Sequence, residues 1–167
     1  FVKIDKKDYI PAIAIGGMTY GVSPLEMASA YSAIANEGIY NEPTCIYKIE
    51  DSYGNIILDN SKREGKRVYE KNATLTMSDV LKDVIGYGTG SSYKLSNAIA
   101  AGKTGTTNDN KDVWFVGYTK YYTTSVWTGY DMPESIEGEY IKNSGYVWKE
   151  YMEKIHQELD KVDFIKP

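Results

Sequence analysis

Ala100-Ala101-Gly102-Lys103-Thr104-Gly105-Thr106-Thr107 is the stretch whose reading decides the fold of this chain. Two chemistries draw on such a run. A phosphate-binding loop needs a glycine five positions before Gly102, and it must open a helix whose N-terminal N–H groups hold the phosphates. The earlier position is Asn97, and the run continues into Gly105 and Thr107-Asn108-Asp109-Asn110, a poor helix start. The phosphate loop is therefore set aside. The other chemistry places the run on a strand beside a reacting centre. Lys103 supplies a cation, and Gly105 removes a side chain so that a substrate backbone can approach. The hydroxyls of Thr104 and Thr106 suit a carboxylate, and a strand N–H can point at a developing oxyanion. Alone, Lys-Thr-Gly is better read as a glycine-containing strand with an exposed lysine, so the surroundings have to decide.

Working outward, residues 97–107 have short side chains and two glycines, the mark of a strand that another backbone or a ligand approaches. Residues 112–119 and 121–130 are aromatic and β-branched and pair as an antiparallel hairpin. Trp114 and Phe115 anchor the strand next to Lys103, and Asp112 is a cap or an ion-pair partner. Before the run lies Gly88-Thr89-Gly90, a flexible loop. It follows a helix capped by Asn72 and ended by Gly86, with Met77, Val80, Leu81, Val84 and Ile85 on its apolar face. An earlier helix starts at Ser23-Pro24-Leu25-Glu26, a capping box with proline at the first helical position. Met27, Ala28, Tyr31, Ile34 and Ala35 recur on one face of it, and it stops at Gly38.

The remaining segments are simpler. Residues 11–17 read as a buried approach to a tight turn at Gly16-Gly17. Residues 45–50 and Ile56-Ile57-Leu58 read as strands joined by Ser52-Tyr53-Gly54-Asn55. Residues 61–71 form an exposed connection, residues 132–143 a loop. Trp148, Tyr151, Met152, Ile155 and Leu159 line one face of a last helix. The fold class is α/β (α+β), an antiparallel sheet flanked by helices.

Composition narrows the function. A length of 167 residues suits one domain or a large part of one. The net charge of −4 comes with no basic stripe, so no nucleic-acid partner is expected. One cysteine and one histidine exclude an internal disulfide and a Cys/His zinc site, and no metal or cofactor is expected. Cys45 reads as a small core residue. His156, on a terminal amphipathic pattern, is a poor member of a Ser-His-Asp triad. No apolar run is long enough to span a bilayer. The chain opens on Phe1 in mid-pattern and reads as a fragment.

Four ordered segments settle the weighting. They are Gly21-Val22-Ser23-Pro24-Leu25-Glu26-Met27-Ala28, Gly88-Thr89-Gly90, Gly102-Lys103-Thr104-Gly105-Thr106-Thr107 and Asp112-Val113-Trp114-Phe115-Val116-Gly117-Tyr118. Together they closely resemble the transpeptidase domain of class A penicillin-binding proteins, from about Pro11 to Asp131 and more loosely to the terminal helix. The resemblance implies a β-lactamase/transpeptidase-like sheet with helices on both faces, and D,D-transpeptidation of peptidoglycan stem peptides through a serine acyl-enzyme that β-lactams also form. In the family's Lys-Thr-Gly motif, the catalytic positions match Lys103, which aids proton transfer, and Thr106, whose N–H serves the oxyanion hole. Thr104, Gly105, Thr106 and Thr107 match the substrate-binding positions. A carboxypeptidase or β-lactamase of the same superfamily, or a non-enzymatic β-lactam sensor module, are the alternatives.

The family also needs a Ser-x-x-Lys nucleophile and a Ser-x-Asn element, both upstream of the matched segments. No Ser-x-Asn occurs here. Ser91-Ser92-Tyr93-Lys94 has the first pattern, but it lies nine residues before Lys103 and in a loop rather than opening a buried helix. It is read as a decoy. The expected partner is thus the upstream portion of the same protein, as a second polypeptide left by a nick or split, and the chain alone should not catalyse acyl transfer. The resemblance implies a place on the extracytoplasmic face of a bacterial membrane, anchored by an upstream segment.

Overall fold

The computed structural model describes residues 4–167. Helix α1 spans Pro24–Ala35 and starts as the sequence dictates. Ser23 Oγ accepts from the Glu26 N–H at 3.3 Å, and the Glu26 carboxylate accepts from the Ser23 N–H at 2.8 Å. Each bond satisfies an N–H group that a helix start leaves open. Gly38, with φ of 89°, donates back to the Ala33 carbonyl and turns the chain out of the helix.

Four short strands follow: β1 Ile39–Tyr40, β2 Lys48–Glu50, β3 Ile56–Asp59 and β4 Lys66–Arg67. β2 and β3 form the expected hairpin, while β1 pairs with β4, a contact between distant residues that no local pattern announced. Helix α2 spans Lys71–Gly86. The main sheet is β5 Ala101–Thr106, β6 Asp112–Tyr118 and β7 Thr123–Gly129, antiparallel in that order, and helix α3, Asn143–Ile155, closes the fold.

The sheet alternation decides what lies where. The register sets Ala101, Lys103 and Gly105 opposite Tyr118, Val116 and Trp114, so these share one face. On that face Tyr118 meets Tyr31 of α1, and Ser125 donates to the Pro24 carbonyl at 2.6 Å. The other face carries Gly102, Thr104, Thr106, Phe115 and Gly117 and is covered by α3. There Trp148 packs on Phe115 with ring centroids 4.7 Å apart, and both are fully buried. Gly117 makes this possible: a Cβ there would lie 2.5 Å from the Trp148 ring. Helices thus cover both faces, and α2 packs beside Ala100 and Ala101 at the start of β5 with Leu81 and Ile85, while Lys103 and Thr106 farther along the strand are exposed.

Several expectations are corrected. Residues 11–17 form a single 3-10 turn, Pro11–Ile15, that stays outside the core, with Ile15 exposed; the turn at Gly16 is as expected. Cys45 is exposed, because it precedes a hairpin that stands away from the main sheet. Asn72 lies inside α2, whose N-cap is Glu70. The buried face of α2 is Thr74, Leu75, Ser78, Leu81 and Ile85, and Met77 and Val80 point outward. Tyr151 is exposed, and Leu159 lies beyond the end of α3. Residues 132–143 include a 3-10 turn, Gly138–Lys142.

Ser78 faces inward because the buried Tyr118 hydroxyl needs a partner, and the two oxygens lie 2.9 Å apart. Burial pushes the Tyr118 phenol up to about 12, with the Ser78 bond acting the other way. The folded chain therefore holds this proton to higher pH than the unfolded chain, whose tyrosines titrate near pH 10. The stability contributed by neutral Tyr118 is complete below about pH 10 and is lost as pH rises through that value toward the folded-state one. Tyr118→Phe should cost about 1 kcal/mol near neutrality, since Ser78 is left alone. The same variant should lose less stability than wild type between about pH 8 and about pH 11. Denaturant midpoints at the two pH values check both statements.

Candidate active site

Strand β5 pairs on one side only among the described residues. Its main-chain direction follows from the alternation of an antiparallel ladder. The Thr107 N–H bonds the Asp112 carbonyl at 3.0 Å. Counting back by twos, Gly105, Lys103 and Ala101 direct their N–H and C=O groups to β6. Gly102, Thr104 and Thr106 direct theirs away from β6; Gly102 is buried, so the edge is open only toward the Thr104–Thr106 end. The same phase follows from the far side of β6, where the Thr119 N–H bonds the Tyr122 carbonyl at 2.9 Å. Thr106, exposed at the end of the strand, thus presents an unpaired N–H.

Lys103 is exposed, and its Nζ donates to the Thr104 carbonyl at 2.8 Å. The ammonium is therefore drawn to the same open edge that carries the Thr106 N–H. Gly105, on the same face as Lys103, carries no Cβ; one added there would press on the Trp114 Cβ at 3.3 Å. Trp114 is half-buried and tilted against Trp127, with centroids 6.5 Å apart, while Phe115 is fully buried opposite Thr104. The anchoring expected of these two residues is what the register shows.

The exit from β5 is clamped by a residue whose role the sequence left open. Asp112 donates its N–H to Thr107 Oγ1 at 2.8 Å, and Asp112 Oδ1 accepts from Trp127 Nε1 at 2.9 Å. The Thr107 hydroxyl also bonds Asp112 Oδ2 at 3.2 Å, so it is engaged in holding the strand end. A second feature was legible only as a motif. The Thr89 hydroxyl, from Gly88-Thr89-Gly90, lies 3.0 Å from the Thr104 hydroxyl. Paired glycines around one threonine were the available signal.

Two other candidates are placed away from this edge. His156 is buried; its Nδ1 lies 2.7 Å from the Met152 carbonyl and its Nε2 2.8 Å from Thr119 Oγ1. A carbonyl only accepts, so Nδ1 donates to the Met152 carbonyl. The Thr119 contact follows Tyr118, which pairs with the start of β5, whereas Thr106 is at its other end. Ser91 opens a 3-10 turn of three residues, Ser91–Tyr93, and Lys94 is already extended, with ψ of 132°. The pair does not face across a turn of α-helix, as the decoy reading requires. No helix among the described residues is long and apolar enough to cross a membrane.

Residues 6–156 match the model of the penicillin binding protein transpeptidase domain. The chain belongs to this family. Penicillin-binding protein 1A of Clostridium botulinum (strain Langeland) is 32% identical over 169 residues, covering 99% of the chain and 20% of the relative. Penicillin-binding protein 1F of Bacillus subtilis is 41% identical over 145 residues, covering 83% of the chain and 20% of the relative. Among solved structures, PonA1 from Mycobacterium tuberculosis superposes with a TM-score of 0.80 at 29% identity, covering 93% of this chain and 43% of that one. The same protein in complex with penicillin V gives a TM-score of 0.72 at 26% identity, covering 88% and 41%. The penicillin-binding transpeptidase fold read from the motifs is therefore present. The chain spans about a fifth of the length of the curated relatives it matches.

Proposed function

We propose that this chain supplies the Lys-Thr-Gly wall of a D,D-transpeptidase that cross-links peptidoglycan stem peptides through a serine acyl-enzyme. The observation that carries the reading is the open edge of β5, where the Lys103 ammonium and the Thr106 N–H lie together. An extended stem peptide, or a β-lactam in its place, would lie along this edge. The serine would come from the upstream portion of the same protein, with its Ser-x-x-Lys and Ser-x-Asn elements. Its attack on the carbonyl of the D-Ala-D-Ala bond would form a tetrahedral oxyanion, which the Thr106 N–H would stabilise; collapse would break the C–N bond, expel the terminal D-Ala as its protonated amine and leave the serine ester. Lys103 would hold positive charge beside the serine and favour movement of its proton. An amine from a second stem would then attack the ester and restore the serine. Thr104 and Thr106 would bind the terminal carboxylate. Gly105 would let the peptide approach, and Thr107, tied to Asp112, would fix the strand end beside it. The assembly would work on the extracytoplasmic face of a bacterial membrane.

The test is intact and peptide mass spectrometry of the full protein after reaction with labelled penicillin. One adduct is expected, on a serine outside this chain. Label on Ser91 would overturn the reading.

A further inference from the structure

We propose that Thr89 is a positioning residue for the carboxylate-binding hydroxyl of Thr104. The proposal rests on the reading of β5 as the substrate wall.

The argument starts from how Thr89 is held. The C-terminal end of α2 leaves carbonyls without partners in the helix. The Tyr87 and Gly88 N–H groups both bond the Asp83 carbonyl at 3.0 Å, and the Gly90 N–H bonds the Val84 carbonyl at 2.9 Å. The loop thus turns tightly over the last helical turn. A Cβ on Gly88 would lie 2.9 Å from the Val84 Cα, so the close wrap requires glycine there. Gly90 is buried beside Val84 and Phe115. Between two fixed glycines, Thr89 projects its hydroxyl onto Thr104 at 3.0 Å, across the gap between α2 and the sheet.

The direction of that bond matters. Either oxygen could donate. A carboxylate has no proton, so a Thr104 hydroxyl that binds one must donate to it. Its oxygen is then free to accept, and Thr89 is the donor in place. The relay sets the rotor of Thr104 before substrate arrives and strengthens its donated bond, because linked hydrogen bonds polarise one another. Thr89 touches no reacting atom; it acts through Thr104.

The experiment uses the full protein and the rate of acylation by a penicillin, as free acid and as its carboxylate methyl ester. Thr89→Val keeps the shape and removes the hydroxyl. It should slow acylation by the free acid roughly three- to tenfold, the range of one hydrogen bond. Acylation by the ester, which carries no charge for Thr104 to bind, should change by less than about twofold. Thr89→Ser should restore the free-acid rate. The proposal is overturned if Thr89→Val acts equally on acid and ester, if it has no effect, or if Thr89→Ser fails to rescue. Lys103→Ala serves as the separate control. Undiminished acylation there would defeat the reading of β5 itself, whereas a dead Lys103 variant with an unaffected Thr89→Val would defeat only the relay.

Discussion

Lys103→Ala in the full protein is expected to lower the rate of penicillin acylation by about 10²- to 10⁴-fold, the contribution typical of a positioned proton-transfer group. The side chain is exposed, and its one bond is to the Thr104 carbonyl on the open strand edge. Nothing in the core leans on it, so stability should stay within about 0.5 kcal/mol of wild type. Acylation followed with a fluorescent penicillin, alongside a thermal melt, separates the two quantities. A variant that melts normally and still acylates at the wild-type rate would remove Lys103 from the chemistry. A variant that loses both would mean that the strand, rather than the charge, had been damaged.

Trp148→Ala should be the most destabilising change in the sheet and helix core, at about 3–5 kcal/mol. The indole is fully buried, packs against Phe115, and its Nε1 donates to the Gly117 carbonyl at 3.3 Å. Truncation opens a cavity over the middle of β6. A coupled measurement gives the cause. Gly117→Ala alone should be strongly destabilising, because the new methyl meets the indole at 2.5 Å. In the Trp148→Ala background the methyl enters vacated space, so the double variant should be more stable than the sum of the two losses predicts. Denaturant unfolding of the four proteins checks this, and strict additivity would refute the packing argument.

How far the residues announce this structure depends on the range of the forces involved. The start of α1 was legible in full, since Ser23, Pro24 and Glu26 act within one turn. The hairpin of β6 and β7 was legible because residues 112–119 and 121–130 are rich in aromatic and β-branched residues and joined by a short link. The buried face of α2 was misread. Of its inward polar positions, Ser78 answers to a tyrosine hydroxyl forty residues away and Thr74 to the Lys71 carbonyl one turn back, whereas hydrophobicity alone favours Met77 and Val80. Residues 11–17 were misread for a related reason: apolar character states what a segment prefers and not what is available to cover it. At the site, Lys103 to Thr106 stood out because their chemistry is compressed into four residues. The contact of Thr89 with Thr104 and the clamp of Asp112 on Trp127 join different elements, and only the folded register brings them together.

An open strand edge has another side to it. Any unpaired β edge invites a strand from a second molecule, the first step of aggregation. Here the Lys103 ammonium occupies the Thr104 carbonyl, one of the acceptors that such a strand would need, and it places a charge in the way. The lysine proposed to serve the substrate groove would therefore also act as its gatekeeper against self-association. Variants that lose this charge should be compared as monodisperse fractions, because the proposed catalytic role and the edge charge belong to the same side chain.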